Sequence, residues 1–274
     1  CPARPTLAAT PGDVSPNSQA ARLSVDHLAL LAEVSDPQPS PEGDWIAYTV
    51  TRRDFEEDES RGRIWMVPAQ GGEAAALTAE DQSSSHPRWS PDGRYLAFLS
   101  ARDDEPAQVW RLFRKGGEAV RLTDTAQAVD TFAWSPDSTR LLLVLRDASA
   151  AERAAHEQGD DYEEQTPPPW EIDRQQFKTD YVGYLDRRRS HVYVLDVASG
   201  TLTQLTFGDY DHAEPAWSPH GRSIAFVSNR TAEPDDNYNT DIWVVSADPS
   251  QAPSEPIQIT RGQGPDGSPS WSPD

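Results

Sequence analysis

Short apolar runs of alternating character recur along this chain, each bounded by polar, turn-forming residues. The first set runs from Trp45 to Val50, Tyr95 to Leu99, Leu141 to Leu145 and Ser223 to Val227. Runs of this length, rich in β-branched and aromatic residues, predict strands rather than helices. Beyond a polar stretch each is followed by a second run: Arg63 to Val67, Gln108 to Leu112, His191 to Leu195 and Asp241 to Val245. A shorter third element closes on Leu77-Thr78, Leu122-Thr123, Leu205-Thr206 and Ile259-Thr260.

One phrase precedes these strands each time: Trp89-Ser90-Pro91-Asp92-Gly93, Trp134-Ser135-Pro136-Asp137, Trp217-Ser218-Pro219-His220-Gly221 and Trp271-Ser272-Pro273-Asp274. A degenerate copy, Ser40-Pro41-Glu42-Gly43, opens the series. The phrase describes a tight turn, in which Pro presets φ, Asp caps through its side chain and Gly takes the positive-φ position. The approach to each Trp supplies another strand. Four short antiparallel strands per repeat make a propeller blade, so the fold class is all-β, a β-propeller with four blades and the start of a fifth. A β-sandwich would not place four such turns in register with their flanking strands. Successive Trp residues of the phrase are 45, 83 and 54 apart (134−89, 217−134, 271−217). A blade takes roughly 40–50 residues, so the long gap carries an insertion at about 146–189. A chain that stops inside its own fifth repeat predicts further blades in a longer protein.

Composition narrows the partners. Hydrophobic residues make up 36% of the 274, mean hydropathy is −0.70 and the net charge is −21. No segment is apolar enough to span a bilayer, and so acidic a chain is not expected to bind nucleic acid. Cys1 is the only cysteine, which excludes a disulfide framework and a thiolate metal cluster within these residues. No metal or other cofactor is expected. Two readings of Cys1 stay open: the lipidated start of a bacterial envelope lipoprotein, with 1–22 as a flexible Ala/Pro/Ser-rich tether, or an arbitrary start, with a cytoplasmic location equally open. Residues 23–34 are expected to form a short helix, with Ser24 as N-cap and Leu28, Leu31 and Ala32 on one face.

The stretch from Ser24 through Gly43 resembles the start of the propeller in S9 (prolyl oligopeptidase) serine peptidases, in the acylaminoacyl peptidase and dipeptidyl aminopeptidase subgroup. The run Ile172 to Val194 resembles a segment at the same place in that subgroup, and Ser228 to Trp243 is similar too. The resemblance covers roughly 24–274. It implies a seven-bladed propeller capping an α/β-hydrolase domain that lies C-terminal to it, with a Ser-Asp-His triad whose Ser sits on a Gly-x-Ser-x-Gly elbow. That elbow does not occur in these 274 residues. The chain by itself is therefore expected to be inactive, and the partners expected are short peptides, the hydrolase domain and a second copy in a homo-oligomer. The implied activity is release of acylated amino acids or dipeptides from peptide N-termini, with the propeller gating access. The alternative is a non-catalytic TolB-like propeller that binds an envelope protein.

Candidate site residues lie in the insertion. Its first half is acidic, with Glu152, Glu157, Asp160, Asp161, Glu163 and Glu164; Thr166 to Trp170 is proline-stiffened; its end carries Arg174, Lys178, Asp180 and Tyr181. By the resemblance, such insertions reach the substrate's N-terminal end. Paired acids would suit a free α-amine, and basic or apolar residues a blocked one. Glu163, Glu164, Arg174 and Lys178 are the substrate-binding candidates. The bland alternative is a solvated loop or an inter-subunit contact. The acidic run Asp235 to Asp241 has oxygen ligands for a hard cation but lacks the Gly and terminal Glu of an EF-hand loop, so a hydrogen-bonded turn is favoured. Arg61-Gly62-Arg63 and Arg187-Arg188-Arg189 are read as surface or salt-bridging runs. The repeated Trp residues are read as core packing.

Overall fold

The computed structural model describes residues 28, 31–55, 58–103, 105–159, 166, 169, 171–180 and 183–273. Four antiparallel four-stranded sheets follow one another along the chain. The first blade is β1 (Ala32–Pro39), β2 (Trp45–Asp54), β3 (Glu59–Pro68) and β4 (Ala75–Ala76). The second is β5 (Ser84–Trp89), β6 (Tyr95–Ser100), β7 (Gln108–Phe113) and β8 (Val120–Arg121). The third begins with β9 (Val129–Trp134) and β10 (Arg140–Arg146). The insertion follows, with helix α1 (Ala150–Gln158) and a small hairpin of β11 (Lys178–Thr179) and β12 (Gly183–Tyr184); β13 (Ser190–Asp196) and β14 (Leu202–Gln204) then complete the third blade. The fourth is β15 (Ala213–Trp217), β16 (Ser223–Ser228), β17 (Asp241–Ser246) and β18 (Ile257–Gln258). The strand that approaches each Trp pairs with the strand after the turn, and so opens its own blade.

The second strand of each inner blade is buried on both faces, which is why it reads as a continuous apolar run. Leu96 and Phe98 pack against Ala47 and Ile64 of the first blade. Their pleat neighbours Ala97 and Leu99 pack against Leu141, Leu143 and Leu145 of the third. Leu142 turns the other way, onto Ile224 and Phe226 of the fourth. Each fully buried Leu, Ile or Phe is worth about 1.5–3 kcal/mol, so the three seams hold the sheets together face to face.

The turn is organised by its Ser more than by its Asp. Ser90 and Ser135 are fully buried, and each hydroxyl donates to the Asp two residues on, Asp92 at 2.6 Å and Asp137 at 2.5 Å. The same oxygen accepts from the amide five residues on in the four turns that a strand follows, those of Ser40, Ser90, Ser135 and Ser218: Trp45, Tyr95, Arg140 and Ser223, at 2.9 to 3.1 Å. Gly43, Gly93 and Gly221 take positive φ as expected. Ser138 occupies that position in the third blade with φ of 60°, and its hydroxyl accepts the Asp92 amide of the second blade.

Each Trp of the phrase is also a polar link. The indole Nε1 of Trp89 donates to Gln38 O, Trp134 to Arg88 O, Trp217 to Ala133 O and Trp271 to Ala216 O, at 3.1 to 3.3 Å. Every acceptor is the residue just before the corresponding position one blade earlier. The reading of these Trp residues as core packing holds for the rings of Trp89, Trp134 and Trp217, fails for Trp271, which is 36% exposed, and misses this bond.

The first strands share a bulge that the sequence reading did not single out. Asp36, His86, Glu214 and Ser268 all have φ between 48° and 58°, three residues before the Trp position, and each precedes a Pro. Register slips at Ser35/Gln38, Ser85/Arg88 and Ala213/Ala216 mark the same places. The recurring X-Pro dipeptide was the available signal.

One expectation needs correction. Ala32 to Val34, placed at the end of a helix over 23–34, are strand, paired with Arg52, Thr51 and Val50. The long β2 leaves an unfilled row of backbone groups beside it, and completing that ladder outweighs the weak helical pattern of three apolar residues. Leu31 keeps one turn, with its amide bonded to Leu28 O. The tail 1–22 and the remainder of the helix expectation lie outside the described residues.

Replacing Trp134 by Phe keeps most of the ring and deletes one N–H. A loss of about 1–2 kcal/mol is expected, because the Arg88 carbonyl loses its partner. It should appear as a lower urea midpoint with an unchanged slope; an unaltered midpoint would show that the link contributes nothing beyond packing.

Candidate functional site

The two ends of the blades differ. At one end lie the Trp-Ser-Pro turns, short and laced together. Arg114 of the second blade pairs with Glu42 and Asp44 of the first. Arg140 of the third donates to Gly221 O and Ala247 O of the fourth at 2.9 and 3.1 Å, with its guanidinium over the Trp217 ring. The antiparallel alternation puts the connections β2–β3, β6–β7, β10–β13 and β16–β17 at the other end, with the links between blades. The insertion is the β10–β13 connection, so the longest loop lies there.

The insertion starts with a well-made helix. The Ser149 side chain accepts the Glu152 amide, and Glu152 reaches back to the Ser149 amide, a reciprocal capping box. No residue of α1 is buried. The Ser149-x-x-Glu152 spacing was legible, yet the segment was read only as polar and acidic. Arg188 holds the helix through Glu152 at 2.7 Å and binds Asp186 through Nε at 2.7 Å, while Arg146 binds Asp186 from the other side. At the base the Asp147 amide donates to Arg189 O, and Arg189 spans to Asp209 and Asp211 of the fourth blade. The run Arg187 to Arg189 is thus a set of salt bridges, as read.

Arg174 and Lys178 are described; Glu163 and Glu164 lie outside the described residues. Arg174 is nearly buried, at 11% side-chain exposure. It donates to Asp235 at 3.0 Å through Nε and lies 2.9 Å from it through Nη2, and it donates to Asp186 O at 2.7 Å. Asp235 also accepts the Gln175 amide. Burial alone would raise the Asp235 carboxyl, but the Gln175 amide and Arg174 outweigh it and hold the group below the usual carboxylate range. Arg174 is therefore engaged in pinning the insertion to the β16–β17 loop. Lys178 is exposed on the small hairpin, its ammonium 5.9 Å from the Tyr184 ring centroid.

The acidic run Asp235 to Asp241 forms a hydrogen-bonded loop. Asn229 donates to Pro234 O and Asn237 O, and Asn237 donates to Thr231 and Glu233 O. Asp241, at the start of β17, accepts from Gln258 and Thr260. Among the described residues, no group of three or more His, Cys, Asp or Glu is placed to hold a metal ion.

Between the insertion and the fourth blade lies a cleft of about 200 Å³, walled by Arg174, Gln176, Arg189, Tyr210, Asn229 and Tyr238. Tyr238 at its rim is 80% exposed, and Phe177 and Tyr184 on the insertion are exposed as well. Since both guanidinium groups are paired to carboxylates, the free chemistry is that of amides, phenols and aromatic faces. Such a surface suits the backbone and apolar side chains of an extended peptide. A larger cleft of about 560 Å³, lined by Val50, Arg52, Arg53, Phe55, Arg63 and Trp65, lies on the side of the first blade away from the second. It lies on the loop-end half of that sheet face and reaches Phe55 in the β2–β3 connection.

No family model matches the sequence. Over 223 residues the chain is 31% identical to the uncharacterized peptidase YuxL of Bacillus subtilis (strain 168), a match spanning 81% of this chain and 34% of that protein. In fold it is similar to the acylaminoacyl peptidase of Pyrococcus horikoshii, with a TM-score of 0.61 at 21% identity over 85% of this chain and 33% of that one. It is also similar to TolB from Agrobacterium tumefaciens, with a TM-score of 0.51 at 19% identity over 88% and 71% of the two chains. The chain thus spans about a third of the length of both peptidases.

Substituting Arg174→Met should free the insertion, because Asp235 loses its ion pair and the Asp186 carbonyl loses the Arg174 donor. Limited proteolysis should then cut within 171–180 several-fold faster than in the unmodified protein, with the blades intact. Equal cutting rates would show that the ion pair does not anchor the segment.

Proposed function

We propose that this chain, whose relatives are S9-family peptidases and whose fold is a β-propeller, is the substrate-gating part of a serine peptidase that acts on short peptides. The observation that carries this reading is the 31% identity to a peptidase across 223 residues, reaching through the insertion. Acyl transfer through a serine ester would be performed by an α/β-hydrolase domain elsewhere in the protein. This chain alone would not cleave peptides. Its share is selection: the loop end admits an extended chain and excludes folded proteins.

Within that reading the cleft beside the fourth blade takes the peptide's N-terminal portion. Tyr210 and Tyr238 would contact side chains, and the Gln176 side-chain amide the backbone. Arg174 positions the insertion through Asp235 and does not itself receive substrate. Lys178, exposed and unpaired by any carboxylate among the described residues, is the basic residue left to meet a carbonyl or an acyl group. Glu163 and Glu164 remain the pair that would meet a free α-amine. The alternative, a non-catalytic propeller that binds an envelope protein, is favoured by the likeness to TolB.

Intact mass and peptidase assay of the natural protein test this together. A mass well above 30.3 kDa, with hydrolysis of short chromogenic peptides and none of folded proteins, is the expected result. A mass near that value with no hydrolysis would favour the binding module. Comparing acylated with free N-termini separates the two site chemistries. Lys178→Met should raise KM for acylated peptides several-fold with kcat little changed; an unchanged KM would remove Lys178 from the site.

A further inference from the structure

The seam between the third and fourth blades, directly beneath the insertion, holds two buried imidazoles. His191, the second residue of β13, is 4% exposed, and His212, just before β15, is fully buried. Their rings lie 5.1 Å apart, 35° from parallel, and His212 packs against Phe226 at 5.2 Å. His212 Nδ1 is 2.9 Å from Ser190 O, and its Nε2 is 2.7 Å from an Arg230 guanidinium nitrogen. A carbonyl can only accept and a guanidinium can only donate. The geometry therefore fixes His212 as the neutral Nδ1–H tautomer, donating to Ser190 and accepting from Arg230.

A second proton has nowhere to go. On Nε2 it would face an N–H of Arg230, donor against donor, and Arg230 cannot give up its charge. Nor can Arg230 move freely, since its guanidinium lies over Tyr210, Trp243 and Phe226, 4.8 to 5.7 Å from the ring centroids. The remaining charges are mixed. His191 faces Asp147 and Arg189 from the insertion's base, with its Nε2 3.6 Å from Asp147. From the fourth blade it faces Asp211, His212 and Arg230. His212 faces Arg230, His191 and Asp211, and Arg230 itself faces Tyr210 and Glu255. The His191 Nδ1 has no hydrogen-bond partner.

We propose that the His191–His212 pair is an acid-sensitive latch, which holds the base of the insertion against the fourth blade while both rings are neutral and releases it when His212 takes a proton. The residues released are those the pair ties together: Arg189 and Ser190, which bind Asp209, Asp211 and the His212 amide, and through them the returning strand of the insertion.

The electrostatics agree in sign. Burial, reinforced by Arg230 and His191, pushes His212 down to about 4, and the Ser190 carbonyl only partly offsets it. Burial also lowers His191, against the pull of Asp147 and Asp211. A base with a depressed folded-state pKa stabilises the fold fully above its unfolded value of 6.5. That stability is lost as pH falls from there towards 4.

Hydrogen exchange of the intact natural protein reads the latch directly. After correction for intrinsic exchange, the opening equilibrium at the amides of 189–191 and 211–213 should rise about thirtyfold between pH 8 and pH 5, with the β2–β3 pair of the first blade unaffected. In the double variant His191→Asn and His212→Gln, where Gln can still donate and accept but cannot be protonated, the rise should vanish. A pH-independent seam in the unmodified protein, or an equal rise in the variant, would overturn the proposal. If the variant does not fold, titration of the imidazole Cε1 protons by NMR in the unmodified protein decides. His212 neutral down to below pH 5 supports the latch, and titration near the ordinary histidine value excludes it.

Discussion

The bond from each repeat's indole to a main-chain carbonyl one blade back fixes how the sheets sit on one another. Apolar burial between Leu96, Phe98, Ala47 and Ile64 supplies energy but no register, since aliphatic faces can slide. The Trp closes the wedge at the end of each seam, its ring filling space and its N–H satisfying a carbonyl that the sheet ladder leaves free. Trp89, Trp134, Trp217 and Trp271 repeat the bond. Each stands just before its Ser-Pro turn, so the hydroxyl hub of the turn holds the donor in place. Pro39 occupies that position in the first blade and has no such donor.

With one end of the blades committed to these turns and their arginine clamps, the longest insertion falls at the opposite end. A long insertion is tolerated there because only its two feet, Asp147 and Arg189, must meet the blade. What orients it is charge. Arg174 on Asp235, Arg188 on Glu152 and Asp186, and Arg189 on Asp209 and Asp211 tie the insertion to itself and to the fourth blade. Planar guanidinium forks suit this task, since each reaches two acceptors in a set geometry. Pairs as exposed as Arg187–Asp173 contribute little. Those of Arg174 and Arg189, nearly out of solvent, carry the orientation.

The same design leaves the cleft beside the fourth blade with neutral polar and aromatic surface, its cations already engaged. It also brings two neutral histidines into a seam where a cation, Arg230, has no carboxylate in contact among the described residues. Stacking on Tyr210, Phe226 and Trp243 keeps that guanidinium in place at the expense of its hydration. Neutral imidazole is the only charge state that fits beside it, so the seam beneath the insertion is tied to the protonation of its own packing residues.

Local pattern along the chain specifies the blades. Period-2 runs, the Trp-Ser-Pro phrase and the spacing of 45, 83 and 54 residues are local signals, set by strand sterics and turn chemistry over a few positions. They gave the strand set, the four repeats and the place of the insertion. Local pattern also misled at Ala32 to Val34, where a weak helical stripe lost to an open sheet edge that only the folded chain presents. Tertiary structure alone decided what the polar residues do. Arg174 and Lys178 look alike as basic residues four positions apart, yet one is buried against Asp235, 61 residues away, and the other stays in solvent. His191 and His212 are 21 positions apart (212−191) on different blades and meet only because two sheets pack. Charge pairing and burial depend on distance in space, which periodicity does not encode.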